Sequence, residues 1–281
     1  MAKISVIGIC GNSIFMNVDH FHEKGETIAA KSVFEEIGGK GINQAVACAK
    51  MGAHVSFLGA IGDDSDGEKC RQTAKEFGIN GCFAVKKGMR TTFAVILTDK
   101  NGENQVTGFR SAQLEKQDVL EFEGEIANSD ILLLQHEVPE EVNETAVEIA
   151  NKHNVKVILN PAPIRRVPEK IAKSVFAVTP NEQEQKSIEI NRFNNVITTL
   201  GSKGCSIGDG IFIDSIKVTP VDTTGAGDTF NGVLAVCLAE GKTLETSCRY
   251  AVTASGISVT KKGVLNSIPK REEIERKMTN E

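Results

Sequence analysis

The sequence predicts an α/β fold: a mostly parallel sheet covered by helices on both faces, with a small β-rich lid over one edge. Three observations carry that prediction. Apolar strand-like runs alternate with helical patterns over most of the length, as expected when a parallel sheet is buried between helical layers. One stretch breaks the alternation with a hairpin pattern, and another lacks helix signals. No Pro- or Ser-rich linker, low-complexity tract or internal repeat divides the 281 residues, and no proline precedes Pro139. A single domain over 1–281 is therefore expected, with the lid in segments within about 12–36 and 90–110.

In chain order, the strand candidates are Ile4–Ile9, Val55–Ala60, Ile131–Leu134, Val155–Leu159, Val175–Val178 and Val196–Leu200. Helical spacing of apolar residues marks Ile42–Met51, Glu68–Phe77, Glu140–His153, Thr229–Glu240 and Leu244–Thr260. The lid hairpin is Phe93–Phe109, two β-prone runs around Asn101-Gly102, a pair suited to a type I′ turn. Phe15–Phe34 is read as extended chain beside it.

Composition sets limits on function. Lys and Arg number 32 against 37 Asp and Glu, a net charge of −5, and the chain has no Trp and one Tyr. Nonspecific nucleic-acid or anionic-membrane binding depends on basic patches, and single-strand recognition on aromatic platforms, so neither is expected. The seven cysteines are scattered and form no CxxC pair, which fits reduced thiols in the cytoplasm better than a disulfide framework or a zinc site. The N-terminal run lacks a continuous apolar segment and reads as a first strand, not a signal peptide. If the ligand is a polyanion, its electrostatic recognition must be local.

The strongest local signal is Val221-Asp-Thr-Thr-Gly-Ala-Gly-Asp-Thr-Phe-Asn-Gly232, between a β-prone run (Ile211–Val218) and an apolar helix pattern. Gly225, Ala226 and Gly227 then sit at a helix N-terminus, where free N–H groups and the helix dipole favour an anion. Asp228 falls in the first turn, placed to accept a hydroxyl proton while the amides hold developing charge. The same residues also suit a plain capped helix. A dinucleotide fingerprint fits poorly, since Gly232 falls two positions late, and a Walker A loop is absent. Gly62–Gly67 reads as a solvated turn; it lacks the first acid of a calcium loop.

The second signal is Gly38-Gly-Lys-Gly-Ile-Asn-Gln-Ala45, opening a helix. Its glycines permit close approach of a ligand to the backbone, and Asn43 offers a donor and an acceptor suited to a polyol. A flexible connector is the alternative. His20 and His22 form an HxH pair without a third ligand nearby, and His136 suits packing at a strand end. Lys261-Lys262 and Lys270-Arg271 read as solvated faces.

Together the early and late motifs resemble the paired signatures of the ribokinase (PfkB) family of carbohydrate kinases. The resemblance runs on through Gly25-Glu-Thr27, Gln135-His-Glu137, Asn160-Pro-Ala-Pro163, Thr179-Pro-Asn-Glu-Gln-Glu184, Thr199-Leu-Gly-Ser-Lys-Gly204 and Val259-Thr-Lys-Lys-Gly263. It implies a three-layer sandwich with a β-strand lid, and ATP-dependent transfer of a γ-phosphoryl group to a hydroxymethyl of ribose or a similar sugar. Asp228 would be the base, and Gly225, Ala226 and Gly227 the anion hole. Gly39, Lys40, Gly41, Asn43, Glu137 and Asp228 would contact the sugar, as would Gly11, Asn12 and Ser13 at the end of the first strand. Asn181 and Glu184 would organise Mg²⁺ and phosphate through water, and Thr199, Leu200, Gly201, Ser202, Lys203 and Gly204, with Gly227, would line the ATP site. Asp222, Thr224, Ser258, Lys261, Gly263 and Ser267 match a loop that holds a monovalent cation such as K⁺, largely through carbonyl oxygens. The lid would also pair two subunits as a homodimer.

Two departures bear on specificity. The family's ribose-binding members carry an Asn and an Asp at the end of the first strand; here Gly11 and Ser13 take those positions, with Asn12 between. From Asn181 to Thr199 is only 18 residues (199 − 181), where relatives fit an extra helix and turn. The first departure leaves open a nucleoside kinase of the same family. Both leave open a non-catalytic sugar- or nucleotide-sensing protein.

Overall fold

The computed structural model describes residues 1–208 and 210–279. Its centre is a six-stranded parallel sheet built from β1 (Lys3–Ile7), β4 (His54–Gly62), β5 (Asn80–Lys86), β8 (Ile131–Gln135), β9 (Lys156–Asn160) and β10 (Ala177–Val178), in the order β10-β9-β8-β1-β4-β5. Period-two alternation sends successive side chains to opposite layers. Ile131 and Leu133 of β8 enter one core and Leu132 and Leu134 the other; Phe57 and Leu58 of β4 divide the same way. The first core packs under α1 (Lys40–Lys50), α2 (Ser65–Glu76), α8 (Ala226–Ala239) and α9 (Leu244–Ser258). The second packs under α3 (Lys116–Glu121), α4 (Glu123–Ala127), α5 (Glu140–Lys152) and α6 (Glu169–Ser174). The result is the three-layer α/β sandwich that the alternation predicts.

A second sheet crosses one edge. It contains β2 (Gly11–Asn17), β3 (Ser32–Gly38), β6 (Phe93–Thr98) and β7 (Asn104–Phe109), ordered β3-β2-β6-β7. The hairpin forms, but not through a two-residue Asn-Gly turn. Thr98 pairs with Asn104, leaving a five-residue loop in which Asp99 Oδ1 accepts the N–H groups of Asn101 and Glu103. That local Asx geometry competes successfully with the type I′ turn.

Other expectations shift. The predicted strand Val196–Leu200 forms β11 (Ile197–Thr199), which pairs antiparallel with β12 (Gly204–Ile207) in a three-stranded sheet completed by β13 (Ile211–Asp214). Gly62–Gly67 makes a bend leading into α2, exposed at Asp63 and Ser65, in which Asp64 caps the helix by accepting from Gly67 N and Asp66 is buried. Between Asn181 and Thr199 the chain holds α7 (Glu182–Gln185) and a 3-10 turn, Ile190–Arg192. Arg271 opens α10 (Arg271–Thr279) and is not simply solvated; its guanidinium donates to Met51 O and to Glu240, joining α10 to the ends of α1 and α8. Lys261 pairs with Glu273 at 3.0 Å. No helix among the described residues is long and apolar enough to cross a membrane.

Candidate active site

The carboxyl ends of β1, β8 and β9 converge where α1 and α8 begin, the usual crevice for ligands of open α/β sheets. α1 can start there because of Gly41. A Cβ at that position would stand 2.7 Å from Gly8 Cα, the residue that follows β1. The glycines of this motif therefore serve chain packing as well as any ligand.

α8 starts at Gly225, whose left-handed backbone (φ 75°) turns the chain into the helix. Ala226 O is held by Ser255 Oγ at 2.9 Å and Gly227 O by Asn231 Nδ2 at 2.8 Å. Gly227 is exposed, so the predicted anion hole opens to solvent at a fixed helix terminus. One residue on, Asp228 is buried. Its Oδ2 accepts from Asn43 Nδ2 at 2.8 Å and its Oδ1 from Gln44 Nε2 at 3.1 Å. Residues from opposite ends of the chain thus meet as the paired motifs imply.

Behind Asp228 runs a chain of buried amides that the sequence reading did not use. Gln135 Nε2 donates to Gln44 Oε1 at 2.7 Å, Gln44 Nε2 is 3.3 Å from Asn160 Oδ1, and Asn160 Nδ2 donates to Thr179 O. Buried amides must be paired or lose stability, and here the pairing fixes the orientation of the carboxylate. The available signal was a polar residue closing each apolar strand run at Gln135 and Asn160. In front, the buried Asn43 Oδ1 has no partner in the protein. It is an acceptor ready for a ligand hydroxyl.

Glu137 and Lys40 complete the floor. Glu137 Oε2 accepts the Lys40 backbone N–H at 2.7 Å, and burial holds the Glu137 carboxyl above its ordinary range. The field of Asp228, with smaller contributions from Glu137 and Glu184, raises the Lys40 ammonium. Lys40 stays cationic in the field of Asp228, a property invisible in its glycine-rich context.

The nucleotide candidates surround a cavity of about 880 Å³. Thr199, Gly201, Ser202, Lys203, Gly204 and Gly227 line it, and Leu200 does not. Phe212, Ile216, Phe230, Val252 and Gly256 add an apolar wall missed in the sequence, because it is assembled from separate elements. Asn181 and Glu184 form a reciprocal cap on α7: Asn181 Oδ1 accepts from Gln183 N and Glu184 N, and Glu184 Oε2 accepts from Asn181 N at 2.9 Å. One Glu184 oxygen and the Asn181 amide remain outside that cap.

The cation candidates cluster in part. Asp222 accepts from Thr224 N at 2.9 Å and Gly263 N at 3.2 Å, while Val259 O accepts from Val221 N and Asp222 N. Ser258 Oγ and Ser267 Oγ are bonded within their own turns. Among the described residues no group of three or more His, Cys, Asp or Glu side chains is placed to hold a metal ion; His20 instead contacts Glu26 at 2.9 Å.

At the first-strand end, Ser13 Oγ would lie 2.9 Å from a Cβ on Gly38 and Gly11 lies against Thr92 O. The buried Asn12 amide donates to Glu35 at 3.0 Å and Asp66 at 3.3 Å, towards α2. Cys10 is a core residue whose thiol is pushed up by burial, with Cys70 as its neighbour.

The profile of the family described as pfkB family carbohydrate kinase matches residues 1–271. The chain belongs to that family. It is 35% identical over 295 residues to the ribokinase of Haemophilus influenzae, covering 96% of each chain. The crystal structure of ribokinase from Thermotoga maritima superposes with a TM-score of 0.90 at 36% identity, over 100% of both chains. Ribokinase of Arabidopsis thaliana, solved in complex with ribose and ATP, superposes with a TM-score of 0.85 at 29% identity, over 98% of both. As a carbohydrate kinase the chain is a phosphotransferase with an alcohol acceptor.

Proposed function

We propose that the protein transfers the γ-phosphoryl group of ATP to a hydroxymethyl of ribose or a similar sugar. The observation that carries this is Asp228, buried, held by two amides and one residue beyond the Gly225–Gly227 helix terminus. The acceptor hydroxyl gives its proton to Asp228 as its oxygen attacks the γ-phosphorus and ADP leaves. Negative charge gathering on the phosphoryl oxygens is met by the α8 amides and by Lys40. Phosphoryl transfer requires chiefly positioning and such charge stabilisation. Asn43 Oδ1 and Glu137 orient the acceptor. The relative solved with ribose and ATP supports both substrate classes, and the cavity beside Gly227 has the size and apolar wall that a nucleoside needs.

The free Glu184 oxygen would accept from the water of hydrated Mg²⁺ near the phosphates, where the metal would neutralise charge, and the Asn181 Nδ2 group would donate to a phosphate oxygen. The carbonyl-rich turns joined at Asp222 and Gly263 would hold K⁺. On one face of the lid sheet the cross-strand row through Phe34 and Val106 is exposed, an apolar surface suited to a second subunit. One observation favours a second acceptor class: without a carboxylate at Gly11 or Ser13, the family's clamp on vicinal hydroxyls is lost, which suits a nucleoside.

An acceptor panel containing d-ribose, 2-deoxyribose and several nucleosides, with ATP, Mg²⁺ and K⁺, decides between them. Turnover of a free sugar supports the first reading. Turnover of nucleosides alone selects the second. Binding of ligands without turnover of any acceptor contradicts both and leaves a sensor.

A further inference from the structure

Consecutive residues of β3 grip opposite sides of the molecule. Glu35 accepts from Asn12 and pairs with Lys69 of α2 at 3.1 Å. Glu36 instead reaches the chain after α9, where its two carboxylate oxygens accept the backbone N–H groups of Val264 at 2.8 Å and Leu265 at 2.9 Å. Across the strands, Glu36 pairs with Ser13 at the predicted acceptor side.

The loop held by Glu36 backs the anion hole. Gly263 N donates to Asp222, the carboxylate that also accepts from Thr224 N immediately before Gly225. The Val264 side chain fills the space that a Cβ on Gly225 would occupy. From the other side, Lys50 Nζ donates to Leu265 O at 2.7 Å and Ile268 O at 2.8 Å. The loop is thus held between a lid strand and α1, with Val264 pressed on the residue that starts α8.

We propose that Glu36 is a positioning residue that couples acceptor binding at the lid to the alignment of the Gly225–Gly227 amides; this rests on the kinase reading above. Both carboxylate oxygens are engaged, so a displacement of β3 moves Val264 and Leu265 or breaks two charge-assisted bonds. Movement of Val264 changes its contact with Gly225, whose backbone sets the direction of the following amides. Acceptor and nucleotide then favour the same arrangement, which is the requirement for thermodynamic coupling. A glutamine keeps one acceptor and presents a donor to the second N–H; alanine removes both bonds.

Calorimetry tests the coupling directly. Affinity for the non-hydrolysable analogue AMP-PNP is measured with and without saturating d-ribose (cytidine if the panel selects a nucleoside) in wild type, E36Q and E36A, alongside steady-state kinetics and thermal unfolding. The wild type is expected to show coupling of about fivefold or more, within the usual allosteric range. In E36A the coupling approaches none and kcat falls at least tenfold or so, the scale of a small misalignment, while AMP-PNP affinity without acceptor changes less than about threefold. E36Q lies between. Loss of stability and of both separate affinities with the coupling ratio intact identifies a merely structural residue and overturns the proposal. Normal turnover and coupling in E36A overturn it alone. A wild type without turnover of any acceptor overturns the kinase reading, and the proposal with it.

Discussion

At Asp228 the carboxylate is oriented by two neutral amides, Asn43 and Gln44, and not by a direct ion pair. Neutral donors fix the direction of its lone pairs while leaving it able to take a proton. Gln44 is itself held by Gln135, so Gln44→Ala loosens the base without removing a chemical group. Steady-state kinetics are expected to show kcat reduced about tenfold or more, with a smaller change in acceptor KM. A second residue-scale prediction concerns His136. Burial, with the nearby Arg165 cation, lowers its pKa from 6.5 to about 4. The folded protein therefore holds the ring neutral, and the unfolded chain binds the proton first as pH falls. The stability this contributes is complete above about pH 6.5 and disappears as pH drops towards 4, a loss of about 3 kcal/mol. Thermal unfolding of wild type and His136→Leu across that range checks it: the stability difference in favour of wild type should shrink on acidification.

At the scale of elements, the α8 N-terminus depends on a backbone that side chains rarely adopt. Gly225→Ala adds strain at φ 75° and drives a methyl into Val264. The expected result is a kcat loss of about a hundredfold and a stability loss of about 1–3 kcal/mol, read by kinetics and denaturant unfolding. Arg271→Ala releases Met51 O and Glu240 and should destabilise by about 1–3 kcal/mol, with little effect on KM. The main strands and helices were legible because continuous apolar runs and helical spacing follow directly from burial between two layers. β5 escaped notice because it begins Asn80-Gly81 and is only half buried, so it reads as a turn leading into weak pattern. The helices α3, α4 and α6 have five or six residues, too few for periodicity to register. In the site, the two motifs identified Asp228, Asn43 and the glycine turn. The amides of Gln44, Gln135 and Asn160 and the Glu36 clasp depend on contacts between distant segments, which no local pattern encodes.

Over the whole molecule, a net charge of −5 is compatible with the proposed ATP site, because that proposal concentrates recognition at one helix terminus and one lysine. If the lid's exposed apolar face pairs two subunits, Phe34→Asp should shift sedimentation from dimer to monomer; an unchanged dimer would place the interface elsewhere. The most direct test of the central claim compares wild type with Asp228→Asn for phosphoryl transfer from ATP, with nucleotide binding measured on the same samples. Asp228→Asn is expected to lose about a hundredfold to ten-thousandfold in kcat and still to bind nucleotide. Transfer at the wild-type rate by Asp228→Asn would contradict the claim.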